Sequence, residues 1–118
     1  MRIPAQILLV LTTTIVNAQQ AGEENVWILG SGTISCGKWL EEKPDKALRA
    51  QRMQWLLGYV SSYNWSHTSR QAQLRDGQSA LAFVDRYCSN NPLHGIPGAA
   101  AALVEELGGP KVPQPWRK

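Results

Sequence analysis

Two cysteines, two histidines and a single phenylalanine in 118 residues leave few ways to build several common kinds of site. Cys36 and Cys88 stand apart from His67 and His94 at spacings that match no compact zinc motif, so no metal centre is expected. No apolar run reaches the ~18 residues that a membrane-spanning helix needs. Lysine and arginine exceed aspartate and glutamate only by 12 to 9, and they are scattered instead of forming a stripe, which argues against a dedicated nucleic-acid surface. No serine sits in a G-x-S-x-G frame that would present it as a nucleophile. There is no internal repeat and no succession of β-α units.

What the chain does have begins at its start. In "MRIPAQILLVLTTTIVNAQQ", Arg2 is followed by an apolar run, Ile7 to Val16, and by the small-residue pattern Val16-Asn17-Ala18. This pattern predicts a secretory signal peptide over residues 1–18, cleaved after Ala18. A helical domain is expected over 19–108 and a proline-rich tail over 109–118. Without Arg2 the chain keeps 11 basic and 9 acidic residues, a formal charge of +2. A domain of this size can bury a core but gains from a staple. An even cysteine count in a short exported chain favours a disulfide, which makes the expected location periplasmic or secreted. Joining Cys36 to Cys88 closes a loop worth about 4 kcal/mol in the chain-entropy model, as an upper figure.

Periodicity predicts an all-α fold, a small single-domain bundle of about four helices. The segment "NVWILGSGTIS" reads as a short strand or a packed extended arm. Ser35 is a helix N-cap candidate, and "CGKWLEEK" runs from it to a stop at Pro44. Asp45 caps a longer helix in which Leu48, Met53, Leu56, Leu57, Val60 and Tyr63 recur at helical spacing. This is expected to be the central helix, with Gly58 admitting the close approach of a neighbour, since glycine there costs about 1 kcal/mol relative to alanine. "SHTSRQAQLRDGQ" reads as a loop. A third helix begins near Asp76 or Ser79, carries Leu81, Val84 and Cys88 inward, and ends at "NNP". A fourth has Pro97 in its first turn, Gly108 as its C-terminal cap, and Ile96, Ala100, Leu103 and Leu107 on its apolar face. The tail "PKVPQPWRK" cannot join a helix.

Within "GSGTISCGKWLEE", Gly32, Gly37 and Lys38 form the G-x-x-x-x-G-K core of a phosphate-binding loop. Such a loop needs a hydroxyl directly after the lysine to hold magnesium, and Trp39 stands there instead. Asp85, ending "ALAFVD", imitates a magnesium-orienting acid at a strand end, but Leu81, Val84 and Cys88 place it on a helix. No nucleotide and no other cofactor is expected. The stretch supplies half of the disulfide and a core tryptophan.

The succession "SCGKWL", "QWLLGYVSSYN", "FVDRYCSNNPL" and "AAALVEEL" resembles the small exported two-cysteine helical proteins of the HdeA/HdeB type. It is also similar to the related Rap/Tai-like immunity proteins that protect bacteria against type VI secretion effectors. The likeness covers roughly residues 33–107. It implies a compact all-α fold, a Cys36–Cys88 disulfide, a periplasmic location and action by binding. One branch implies an acid-stress chaperone for unfolded clients, and the other an immunity protein that plugs a toxic cell-wall hydrolase. The weak helix start "HGIPGA" and the proline-rich tail depart from both.

A hydrolase can be assembled on paper from Ser61, Ser62 or Ser66 with His67, yet His67 lacks an orienting carboxylate and reads as a solvated loop residue. His94 reads as structural or exposed. The adjacent pairs Glu41-Glu42 and Glu105-Glu106 diverge around a helix and form no facing dyad. The expectation is a non-enzyme that binds a protein partner, either an effector toxin or unfolded clients, with no nucleic acid and no stable membrane insertion after cleavage. Aromatic side chains suit both cores and interface hot spots. Trp55, Tyr59, Tyr63 and Trp65 are therefore the candidate partner-binding residues, with Trp39 assigned to the core.

Overall fold

Ser35 and Asp45 begin the first two helices as their side chains predict. Ser35 Oγ accepts from Lys38 N at 3.1 Å to open α1 (Cys36–Glu41), and Asp45 accepts from Leu48 N to open α2 (Lys46–Ser66). Asp76 accepts from Ser79 N at 2.7 Å and opens α3 (Gly77–Asn90). In a computed structural model that describes residues 26–108, these helices and α4 (Ile96–Glu106) form a compact bundle with no strand among the described residues. A 3-10 turn, Gly30–Thr33, precedes α1. The predicted signal segment and the proline-rich tail lie outside the described residues.

The fourth helix has no side-chain cap, and the chain compensates for its weak start with backbone. Ile96 N donates to Ile34 O at 3.2 Å and Cys36 N donates to His94 O at 2.9 Å, so a single antiparallel bridge, Ser35 to Gly95, joins the beginnings of α1 and α4. Two of the helix-start amide donors that would otherwise lack partners are satisfied this way. Pro97 fills an early position that needs no N–H, and Gly108 ends the element with φ +93°, a left-handed conformation suited to glycine.

The centre of the molecule is α4 and not α2. Ile96, Gly98, Ala99, Ala100, Ala101, Leu103 and Val104 are all buried, and a helical stretch that is apolar all round, as residues 96–104 are, belongs inside. On α2 only Leu56 and Val60 are fully buried, because arginines and half-covered aromatics share its inner side. Gly58 does not admit a neighbour: it is exposed, and a Cβ there would meet nothing within 4 Å. The core is completed by Trp39 from α1 and by Ala80, Leu81, Val84 and Cys88 from α3. Cys36 and Cys88 are fully buried and bonded to each other, fastening the start of α1 to the end of α3 beside the Ser35–Gly95 bridge.

Candidate functional site

Arg49 lies four residues before Met53 and seven before Leu56, so helical geometry turns it toward the core side of α2. There its guanidinium meets Asp85 of α3 through two parallel hydrogen bonds, 2.8 and 2.9 Å, a bidentate geometry that is the strong form of this pair. Trp39 Nε1 donates to the same carboxylate at 2.7 Å, Lys43 lies 3.5 Å away, and the Arg49 guanidinium sits 5.4 Å from the Trp39 ring centroid. The Asp85 side chain is 15% exposed. Burial alone would raise its pKa, but the hydrogen bonds from Arg49 and Trp39 and the charges of Arg49 and Lys43 outweigh that and hold it below the usual carboxylate value. The acid that imitates a magnesium ligand in the sequence is the clasp joining α1, α2 and α3.

A second clasp lies one turn along. Arg52 donates to Glu42 Oε2 from Nε at 3.1 Å and from Nη2 at 2.6 Å, and its Nη1 donates to Ser31 Oγ at 3.0 Å. It thereby ties α2 to the end of α1 and to the 3-10 turn.

The four candidate aromatics divide along α2. Trp55 is half-buried, donates from Nε1 to Leu29 O at 2.9 Å, and stacks on Tyr59 with ring centroids 5.5 Å apart. The backbone of Gly32 lies directly on the Trp55 ring, where a Cβ would overlap Trp55 Cζ2 and Ile28 Cγ2. Gly30, with φ +66°, lets the turn follow the same ring. Gly32, the first glycine of the apparent phosphate loop, is thus adapted to an indole face, whereas Gly37, the second, lies in α1 away from that ring. Tyr59 is half-buried, and its hydroxyl pKa is raised by burial and, less, by Tyr63. Tyr63 packs against the core, with its hydroxyl buried and without a hydrogen-bond partner among the described residues. Trp65 stands apart from these three at 87% exposure. It edges a shallow open groove with Ser61, Asn64, Thr68 and Gln71.

Asn64 has both ends of its amide engaged. Its Nδ2 donates to Ala72 O at 2.8 Å and its Oδ1 accepts from Ala72 N at 2.7 Å, pinning the 67–76 loop to α2. His67 caps α2, stacks on Tyr63 at 4.1 Å and contacts Tyr63 O through Nδ1. No carboxylate hydrogen bond to it is present among the described residues. His94 is half-buried, with Nδ1 2.6 Å from the Tyr87 hydroxyl at the α3–α4 junction. Among the described residues no group of three His, Cys, Asp or Glu side chains could hold a metal ion, and no helix is long and apolar enough to cross a membrane.

Arg49, Arg52, Asp85 and Glu42 form the two clasps, yet in the sequence the arginines read as scattered charge, Glu42 as one of a diverging pair and Asp85 as the imitation of a magnesium ligand. The available signal was register: Arg49 shares the helical face of Met53 and Leu56. Comparison of the chain with protein-family models, curated proteins and solved structures finds no match in any of the three.

Proposed function

We propose that the chain is an exported, non-catalytic protein-binding module of the immunity or inhibitor kind, acting through a fixed surface on a single partner. The observation that supports this reading is a scaffold locked in three ways, beneath exposed aromatic groups. The disulfide joins α1 to α3, the Asp85 clasp joins α1, α2 and α3, and the Arg52 clasp joins α2 to α1 and the 3-10 turn. Trp27 and Trp65 remain 85% and 87% exposed around it. A surface held rigid before association loses less entropy on binding, which favours one specific complex.

A second reading, the acid-stress chaperone, draws on the chemistry of the clasps. The Asp85 clasp depends on a carboxylate, and its protonation weakens that clasp. The disulfide would then limit expansion while apolar surface opens. The two readings separate in a paired measurement: capture of one defined periplasmic partner at neutral pH, against suppression of aggregation of unrelated proteins at about pH 2–3, where carboxylates are protonated. The immunity reading predicts the first without the second. Broad client protection in acid with no partner at neutral pH would replace it with the chaperone.

A further inference from the structure

The C-terminal half of α2 is uncharged. No Asp, Glu, Lys or Arg occurs between Arg52 and Arg70, and Arg70 itself donates from Nε to Gly108 O at 3.2 Å. Along this stretch Ser61, Asn64, Trp65 and Thr68 recur at i, i+3, i+4 and i+7, so they share one face of the helix and its continuation. Gln71 closes that face from the loop, and these side chains line a groove of about 630 Å³, the size of a small-ligand cleft.

The groove combines a flat platform with neutral hydrogen-bonding groups. The Trp65 ring, 87% exposed, stands on a helix end that is held in place, since Asn64 bonds Ala72 through both ends of its amide and His67 stacks on Tyr63. Ser61 Oγ donates to Leu57 O at 2.7 Å and keeps its acceptor capacity. Gln71 uses one amide hydrogen on a long 3.5 Å contact to Thr68 O and keeps its carbonyl oxygen, while the Thr68 hydroxyl makes no hydrogen bond among the described residues. A pyranose ring has the complementary characters: its C–H face packs on an indole, and its hydroxyls both donate and accept. A phosphorylated ligand would call for a cation, and none lines the groove. An apolar peptide side chain would displace water from these polar groups without replacing its hydrogen bonds.

We propose that the groove centred on Trp65 binds a neutral, β-1,4-linked pyranose oligosaccharide, with Trp65 as the stacking platform and Ser61, Thr68 and Gln71 as partners for its hydroxyls. That linkage keeps successive rings extended with their flat faces presented, and a shallow open groove admits units within a longer chain. The inference does not rest on the protein-partner reading, which retains Trp27 as its exposed aromatic group.

The test titrates the mature chain, residues 19–118, with chitotetraose and with cellotetraose while following the Trp65 indole N–H resonance, assigned by its loss in Trp65→Phe. At least one sugar should shift that resonance saturably, with a Kd on the order of 1 mM or tighter. Trp65→Ala should weaken binding about tenfold or more, and Thr68→Ala and Gln71→Ala about threefold each. Trp27→Ala removes an indole that is 85% exposed and outside the groove, and should leave the Kd unchanged. No shift with either sugar at about 10 mM, undiminished affinity in Trp65→Ala, or an equal loss in Trp27→Ala would overturn the proposal. A Trp65 resonance moved by a captured protein and by neither sugar would assign the groove to a protein partner, and one moved only by raising the concentration of this chain would assign it to a second copy. Either result overturns the glycan site. Sugar binding with no partner captured at neutral pH would establish the site and refute the immunity reading.

Discussion

Asp85 gathers an arginine, a tryptophan N–H and a lysine from two other elements, so its loss should be felt across the bundle. Asp85→Asn keeps the shape but removes the charge that Arg49 needs, and should cost about 2–3 kcal/mol, in the range of hydrogen bonds to charged groups. The pH dependence has a definite sign. Because the folded carboxyl is held below its unfolded value of about 3.9, it stabilises the fold fully above that value, and the contribution is lost as pH falls through the lower folded value. Denaturant titrations between pH 5 and pH 2 should show a shallower acid slope in the variant than in the wild type. An unchanged slope would remove Asp85 from the account. Gly58 is the opposite case. Exposed within α2 and with open space at its Cβ position, it should accept alanine with a gain of about 0.5–1 kcal/mol. Urea midpoints of Gly58→Ala and wild type check this, and destabilisation would mean that the glycine has a contact the structure does not contain.

Element starts were legible because each depends on one residue and its immediate neighbours. Ser35 and Asp45 open the helices they were expected to open, Asp76 and not Ser79 opens the third, and Pro97 and Gly108 bracket α4. What could not be read is how elements answer one another at long range. Gly32 looks like part of a phosphate loop until Trp55, twenty-three residues later, is placed against it. Gly58 looks like a packing device because a sequence does not say which side of α2 faces solvent. The loop between α2 and α3 shows no periodicity, yet Asn64 orders it by presenting an amide to the backbone of Ala72, which is only 2% exposed. Asn64→Ala leaves that buried N–H and C=O without their partners and should cost about 1–3 kcal/mol. Hydrogen exchange should quicken in residues 67–76 while α3 keeps its protection. Equal loss of protection in both would show that the loop and the bundle are one cooperative unit.

At the scale of the whole molecule, a small domain is held by one covalent link and two carboxylate clasps around an alanine-rich buried helix. The disulfide joins positions 52 residues apart, so replacing Cys36 and Cys88 by serine should lower stability by about 2–4 kcal/mol, with a larger loss in denaturant midpoint than either clasp variant of Glu42 or Arg52 produces. A double variant as stable as the wild type would mean that the clasps alone define the fold. The same locks underlie the proposed role, because they keep one surface fixed at neutral pH. Its most direct test is stoichiometric: capture a partner from a periplasmic extract at neutral pH with the mature, disulfide-bonded protein, and titrate the purified partner with it. The account predicts one defined partner and saturation at one equivalent. Capture of no defined partner, or of many unrelated proteins, would contradict it.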